Sequence, residues 1–360
     1  MDPLLLAAQL TLGALGVVGV AASSPGTALE QFSRILIALV ITMFVSRVSP
    51  MRVVRWSPAI YLSVLVLLIL VLFIGISPTG SDAKRWLDLG FFTLQPSELM
   101  KVGVIAYLTA YFHNHRGRWQ IYRPILVVTL AVALIGAEPN VSTALFVFLL
   151  GLAIMVAAGT TLVRLIGISV AVVIISALTA GPYLLNEFPY IGERITTFMD
   201  GGNLALAQDE NYQANLAKKY LSDGGLFGRG VGELNELPAS DTDMIAVSIG
   251  HALGLVGTAT LFALYLLIAL RGVQIASSLS GPGALLAIGA TAYICGQAAL
   301  NLLVAAGLMP ITGVPLPFVS YGLNSLVSVG IAMGFLQSAY RSSRVQAGVV
   351  EASPLRGIEV

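Results

Sequence analysis

Charged side chains are scarce in this chain. Asp, Glu, Lys and Arg make up 10% of its 360 residues, whereas soluble domains carry about 25%. Hydrophobic residues make up 57%, and the mean hydropathy is +0.88. A folded soluble protein cannot bury this much apolar surface. The composition therefore excludes a soluble globular domain and indicates a protein that crosses a lipid bilayer several times.

Several other features are missing. Cys295 is the only cysteine, so an internal disulfide is excluded and the redox compartment is left open. The sequence contains no zinc-ligand spacing, P-loop or nucleotide fingerprint, and no nucleic-acid partner is expected. The first apolar run carries only Asp2 and lacks the basic segment of a signal peptide, which predicts an uncleaved first span.

Apolar runs of about 20 residues predict an all-α bundle of ten membrane-spanning helices. The run from 123 to 158 leaves an alternative of nine spans, because Gly-Ala-Glu-Pro-Asn interrupts it and the two pieces could form one kinked helix. We expect residues 1–360 to form a single integral membrane domain. The predicted spans are 4–22, 32–49, 57–77, 96–112, 123–137, 141–158, 162–185, 242–271, 282–305 and 319–341.

Arginine placement favours ten spans and sets the orientation. Cytoplasmic loops are enriched in Lys and Arg, and with ten spans the arginine clusters and both termini fall on the cytoplasmic side. Residues 186–241 then form a large extracytoplasmic loop, in which residues 214–220 could form a short interfacial helix. The arginines used are Arg47, Arg52, Arg55, Arg116, Arg118, Arg123, Arg164, Arg271, Arg341 and Arg344.

The fourth predicted span contains two opposite charges. Pro96 suits its first turn, and Glu98 and Lys101 lie three residues apart on one helix face. Each charge costs about 2.5–3.5 kcal/mol at a helix centre in lipid, so the pair needs an explanation. It could be a structural ion pair, or Lys101 could face a polar cavity and bind an anionic ligand. Arg85, beside Trp86, could equally snorkel at the interface or bind a ligand.

Asp243 stands where a long apolar helix begins. Residues 242–271 would measure about 45 Å at about 1.5 Å per residue, which exceeds the roughly 30 Å hydrocarbon core. The helix therefore starts outside the core, with Asp243 at its extracytoplasmic mouth. A structural alternative is that Asp241 or Thr242 caps the helix and that Asp243 interacts with its dipole. His251, two turns further on, is expected to be a packing residue.

The segment 307–325 contains three Gly and three Pro and no charge, between two predicted spans. Irregular backbone at membrane depth is tolerated only where it is buried or lines a cavity. The segment could also be a plain surface turn. Neutral hydrogen-bonding groups are available from Thr312, Ser320, Tyr321 and Asn324.

Together these segments resemble the SEDS family of bacterial cell-wall proteins, over roughly residues 81–335. No single piece is specific, but their order and combination are. The family's TDF motif here reads Thr242-Asp243-Met244. The matching pieces are "RWLDLG", "QPSELMK", "YIGERITTF", "YQ" (Tyr212-Gln213) followed by "GGLFGRGVG", "LPASDTDMIAVSIGHALGLVG" and "PITGVPLPFVSYG".

The resemblance implies a peptidoglycan glycosyltransferase that polymerises polyprenyl-linked lipid II at the outer face of the cytoplasmic membrane. It implies a class B penicillin-binding protein (a transpeptidase) as partner, and Asp243 as the catalytic or metal-holding carboxylate, with Mg²⁺ or Mn²⁺ as a potential cofactor. It further implies a substrate-binding role for residues in or beside the motifs, namely Arg85, Glu98, Lys101, Tyr212, Gln213, Thr242, Thr312, Ser320 and Tyr321.

The sequence departs from the family at three places, and other functions stay open. His251-Ala252 replaces a Glu-Glu pair, Glu138-Pro139-Asn140 replaces Gln-Pro-Asp, and Leu323-Asn324 replaces Gly and Ser. A lipid II flippase and a scaffold for a partner enzyme are the alternatives from other classes. Within the family, short termini favour an elongation (RodA-like) role over a division (FtsW-like) role.

Overall fold

The computed structural model describes residues 1–77, 83–90, 92–115, 121–161, 163–170, 210–232, 234, 236–310 and 312–351. Ten helices with named bounds lie in these ranges, and residues 163–170 are also helical. The helices are α1 Pro3–Ser23, α2 Ala28–Val45, α3 Pro50–Ile74, α4 Pro96–Asn114, α5 Tyr122–Ala137, α6 Val141–Ala157, α7 Glu210–Gly224, α8 Ile245–Ser277, α9 Pro282–Ala305 and α10 Leu323–Glu351.

The predicted all-α membrane fold is confirmed, and nine of its ten predicted spans coincide with a named helix. The seventh, 162–185, is helical over 163–170 and otherwise lies outside the described residues. Helices α5 and α6 are separate and pack against each other, so the alternative of one kinked span is wrong. Residues 214–220 lie within α7, as the helix prediction required.

Five helical stretches in the described part of the chain are long and apolar enough to cross a membrane. They are Pro3–Ser23, Pro25–Val45, Pro50–Ile74, Ile245–Ser277 and Pro282–Ala305. Helices α5 and α6 are apolar but shorter. A short hairpin, β1 Leu87–Asp88 and β2 Thr93–Leu94, pairs Leu87 with Leu94 just before α4.

Helix α4 occupies the centre of the bundle and is buried over most of its length. It packs against α3, α5, α6, α9 and α10. Because other helices rather than lipid surround it, polar side chains can be placed on it if they find partners. Its buried polar residues are Ser97, Glu98, Lys101 and Thr109.

One end of the bundle is fixed by Asp2. Its Oδ1 accepts hydrogen bonds from the Leu4 and Leu5 amides at 2.9 and 3.1 Å, which caps α1. Its Oδ2 accepts from Arg271 Nε of α8 at 2.8 Å. We call this the Arg271 end of the bundle, and the opposite end of α8 the Asp243 end.

Candidate functional site

The turn that carries Asp243 is held by its main chain. Three consecutive carbonyl oxygens each accept a hydrogen bond from another part of the bundle, so main-chain bonds hold the turn at three successive residues. The donors are the Tyr321 amide to Asp241 at 2.8 Å, Ser320 Oγ to Thr242 at 2.6 Å and Asn301 Nδ2 to Asp243 at 2.8 Å.

The Asp243 carboxylate is half-buried and lies against Gly313. A Cβ atom on Gly313 would be 3.5 Å from Asp243 Oδ2, and the φ of 67° there favours glycine. Helix α8 begins at Ile245 with Met244 at the N-cap and no side-chain cap bond. Capping by Asp241 or Thr242 is therefore wrong: both precede the cap, because the chain turns at residues 239–244 before the helix starts.

Residues 314–320 of the Pro-rich segment beside this turn are largely buried, so the surface-turn alternative is wrong there, whereas Gly307 and Leu308 are exposed. Leu316 and Val319 are 1% and 0% exposed. The carbonyls freed by its irregular backbone accept bonds from side chains of α8 and α9, as burial requires. The bonds are Asn301 Nδ2 to Val314 at 2.8 Å, Gln297 Nε2 to Pro315 at 2.8 Å and Tyr265 OH to Pro317 at 2.6 Å.

Glu98 and Lys101 form a buried ion pair in the middle of the bundle. Lys101 Nζ donates to Glu98 Oε1 at 2.6 Å, and the two residues are 1% and 3% exposed. The ammonium also lies 5.6 and 5.3 Å from the ring centres of Phe146 and Tyr293, within cation–π range. Ser328 Oγ donates to Glu98 Oε2 at 3.2 Å. The ion-pair alternative thus describes this structure.

Gln297 and Asn301, which sequence reasoning missed, connect the ion pair to the Asp243 turn. Gln297 Oε1 accepts from Lys101 Nζ at 2.7 Å, while its Nε2 bonds the Pro315 carbonyl. Asn301, one helical turn along α9, bonds both Val314 and Asp243. The sequence does carry a signal for them: two side-chain amides lie four residues apart in an apolar run, which places them on one face of the helix.

Arg85 is held at the turn between α5 and α6. Its guanidinium donates to the carbonyl oxygens of Glu138 at 3.2 Å and Pro139 at 2.5 Å. The Glu138 side chain is 1% exposed, and both of its carboxylate oxygens lack a hydrogen-bond partner. Burial raises the pKa of Glu138 from 4.5 to about 8, although the nearby Arg85 acts to lower it.

We expect Glu138→Gln to change how stability depends on pH. A carboxyl whose folded pKa is raised destabilises the fold increasingly as pH rises from about 4.5 through 8. Above pH 8 the Gln variant should be more stable than wild type by on the order of 1–5 kcal/mol. This range follows because a pKa shift of one unit corresponds to about 1.4 kcal/mol. Thermal unfolding between pH 5 and 9 tests this, with exposed Glu236→Gln as control. Parallel curves for wild type and Glu138→Gln would contradict it.

The other predicted residues are distributed around this centre. Tyr321 OH donates to Glu30 Oε2 at 2.6 Å, and Arg34 lies over the Tyr321 ring at 3.8 Å, two partners that sequence reasoning missed. Thr312 and Gln213 are half-buried. Tyr212 lies on α7, and its side chain is outside the described part of the chain.

Asn324 connects the start of α10 to the hairpin before α4. Its side-chain oxygen accepts a hydrogen bond from the Gln95 amide, and its side-chain nitrogen donates to the Thr93 carbonyl, which fixes the hairpin.

His251 is a packing residue, as predicted. It is 2% exposed, its Nδ1 lies 3.2 Å from the Tyr220 carbonyl, and its ring packs edge-on against Tyr220.

Among the described residues no group of three or more His, Cys, Asp or Glu is arranged to hold a metal ion. Asp243 could supply one ligand to a divalent cation that arrives with a diphosphate, as Mg²⁺ often binds.

Comparison with known proteins agrees with this architecture. The family model FTSW_RODA_SPOVE, described as "Cell cycle protein", matches residues 8–345. The chain belongs to the FtsW/RodA/SpoVE family. This confirms the resemblance to the SEDS proteins.

Family members with curated names cover almost the whole chain. Peptidoglycan glycosyltransferase MrdB of Escherichia coli K12 is 29% identical over 94% of this chain and 93% of its own. A probable peptidoglycan glycosyltransferase FtsW of Thioalkalivibrio is 30% identical over 98% and 92%. The level of identity therefore does not separate the two branches.

Two solved structures share the fold of this chain. One belongs to a peptidoglycan synthase complex described as coordinating polymerisation and crosslinking, with a TM-score of 0.79, 24% identity, and 94% and 97% coverage. The other is Thermus thermophilus rod shape determining protein RodA, with a TM-score of 0.66, 24% identity, and 94% and 96% coverage. At this identity the likeness concerns the fold alone.

Proposed function

We propose that this protein is a peptidoglycan glycosyltransferase that polymerises lipid II into glycan strands. The observation that carries the proposal is the Asp243 turn, in which three consecutive main-chain carbonyls are held while the carboxylate is half-buried against Gly313. Curated relatives that match over 90% of this chain are named for the same activity.

Asp243 supplies the base in this proposal. A sugar hydroxyl attacks the anomeric carbon of a second lipid II, the new C–O bond forms as the bond to the diphosphate breaks, and Asp243 takes the hydroxyl proton. A positioned carboxylate contributes about 10²–10⁴-fold to such a step. The polyprenyl diphosphate leaves with the bonding electron pair and needs positive charge.

Arg85 and Lys101 are the proposed sources of that charge. Each is engaged in this structure, Arg85 with two carbonyls and Lys101 with Glu98 and Gln297, so each must exchange a partner for the diphosphate. Mg²⁺ or Mn²⁺ bound with the diphosphate would supply further charge stabilisation. Substrate contacts by Glu98, Tyr212, Gln213, Thr242, Thr312 and Tyr321 remain predictions.

Ser320 is better explained as a positioning residue. It is 1% exposed, and its hydroxyl donates to the Thr242 carbonyl and accepts from the Leu316 amide. These two bonds use the side chain to hold the Asp243 turn against the Pro-rich segment. Its role toward substrate is thus indirect.

We also propose the orientation, partner and cellular role. The arginine distribution supports cytoplasmic termini, with the Asp243 end at the outer face of the membrane. The fold shared with a synthase complex that coordinates polymerisation and crosslinking supports a class B penicillin-binding protein as partner. The relatives support a role in elongation and rod shape, and a division role is the second candidate because an FtsW is equally similar.

An assay in detergent separates polymerisation from flipping. Detergent micelles do not separate two compartments, so a flippase gives no product from purified lipid II. A polymerase makes glycan strands under the same conditions. We expect a ladder of strands on a gel when the partner is present. No strands, combined with transfer of labelled lipid II across sealed vesicles, would establish the flippase instead.

Asn301→Leu tests whether α9 positions the Asp243 turn. The change leaves the Asp243 and Val314 carbonyls without their side-chain donor, which costs about 1–3 kcal/mol for each buried group. We expect the polymerisation rate to fall at least about tenfold, a transition-state loss of about 1.4 kcal/mol. The control is Gln9→Leu, which removes a buried bond to Thr42 between α1 and α2. Equal loss of rate in both variants would contradict positioning.

A further inference from the structure

Helix α8 is broken at Gly254, and a loop segment completes its hydrogen bonds. Gly254 has φ 66° and ψ −156°, a conformation that favours glycine. In an unbroken helix the Leu255 and Val256 amides would donate to the His251 and Ala252 carbonyls. Here all four groups bond residues 225–230 instead. The bonds are Arg229 N to His251 O, Gly230 N to Ala252 O, Leu255 N to Gly225 O and Val256 N to Leu226 O, at 2.9, 3.1, 2.9 and 3.3 Å.

The segment lies main chain against main chain with α8. A Cβ atom on Gly228 would be 2.1 Å from the Ala252 carbonyl oxygen, and one on Gly254 would be 2.5 Å from the Gly228 nitrogen. Only glycine permits this approach. The Gly-rich sequence from 224 to 230 is therefore explained by insertion of the segment into the break, and its larger side chains must point away from α8.

Two of those side chains, Leu226 and Phe227, form an apolar surface that continues the outward face of α8, while the exposed Arg229 side chain donates to the Asp223 carbonyl at 2.8 Å. Leu226 and Phe227 are 63% and 82% exposed, and neighbouring Leu255 and Val256 are 59% and 53% exposed. Further along α8 the exposed residues are also apolar and follow helical spacing on one face: Phe262, Leu266, Leu270 and Val273. A helix that crosses the membrane presents such a face to lipid.

The position along α8 places the segment at membrane depth. Sixteen residues separate Leu255 from Arg271, which pairs with Asp2 at the polar end of the helix. At about 1.5 Å per residue this distance is about 24 Å, less than the roughly 30 Å thickness of the hydrocarbon core. With Arg271 near one boundary, Leu226 and Phe227 lie just inside the other.

We propose that residues 225–231 are a membrane wedge, whose Leu226 and Phe227 side chains insert among the lipid acyl chains of the leaflet at the Asp243 end. Irregular backbone is permitted at this depth because four of its main-chain polar groups bond the broken helix. This segment falls within the loop 186–241 that the sequence predicts on the extracytoplasmic side. The wedge would fix α7, which directly precedes it, at the membrane surface beside the Asp243 turn.

Spin labelling of the full chain tests the wedge. Cys295 is the only cysteine, so Cys295→Ala provides a background for Phe227→Cys, with Leu226→Cys as a second reporter if the first variant does not fold. Two positions calibrate the measurement: Phe262→Cys on the lipid-facing side of α8 and Lys219→Cys on the exposed side of α7. Each labelled protein is reconstituted into phosphatidylglycerol–phosphatidylcholine vesicles without a partner protein.

Collisions of the label with oxygen, which concentrates in the acyl region, are compared with collisions with a water-soluble nickel complex. We expect greater oxygen than nickel access at residue 227, as at residue 262, with a smaller ratio because residue 227 lies nearer the membrane boundary. A profile like that of residue 219 would place the segment in water and overturn the wedge. A label shielded from both reagents would mean that protein covers the segment, which also overturns it.

Discussion

Replacing Lys101 by Met is expected to destabilise the protein by about 3–5 kcal/mol, the cost of leaving one charge of a buried pair uncompensated. Glu98 is 3% exposed, and its Oε1 accepts from Lys101 at 2.6 Å. The double variant Lys101→Met/Glu98→Gln carries no charge at these two positions and should recover most of this stability. Unfolding titrations of the three proteins in the same detergent measure the difference.

The double variant also separates structure from function at this pair. If Lys101 binds the diphosphate as proposed, a stable double variant will still lose lipid II polymerisation. If it polymerises normally, the pair is structural only. Equal stability of the single and double variants would contradict the account of the ion pair itself.

Asp243→Asn is expected to lower the polymerisation rate by about 10²–10⁴-fold, the usual contribution of a positioned general base. The amide keeps the shape of the carboxylate but cannot accept the hydroxyl proton. Asn301 donates to the main-chain carbonyl of residue 243, which the substitution does not alter, so the turn should keep its position. Initial rates of lipid II consumption measure the effect, with the unfolding midpoint as a check on folding.

Asp241→Asn is the matched control for that variant. It removes a carboxylate two residues away on the same turn. The Tyr321 amide donates to the Asp241 main-chain carbonyl, which the substitution leaves unchanged. We expect its rate to stay within about threefold of wild type, less than 1 kcal/mol in the barrier. Equal losses in both variants would mean that the charge of the turn, rather than a base at Asp243, matters.

Much of the fold could be predicted from the sequence because lipid constrains it strongly. Apolar runs gave the spans, and arginine placement favoured two helices over one kinked helix between 123 and 158. Helix α4 shows the limit of hydropathy, since it is buried by five other helices and does not need an apolar surface. Its charges were visible in the sequence, but their partners Gln297 and Ser328 lie about 200 residues away.

The site was predictable only in part, for a related reason. Asp243 and the Pro-rich segment were found through residue type and motif, because charge and irregular backbone are unusual in a membrane. The capping alternative failed because Asp241 and Thr242 lie in a turn that precedes Met244, the N-cap residue of α8. The broken helix at Gly254 could not be predicted, since a single glycine in an apolar run does not show that another segment completes its hydrogen bonds.

Glycan formation from pure lipid II in detergent, by wild type and Asp243→Asn together with the transpeptidase partner, decides whether the protein polymerises lipid II through Asp243. We expect a ladder of strands from wild type and none from the folded variant. Ladders of equal intensity from both would contradict a catalytic role for Asp243. No ladder from either would contradict the polymerase itself.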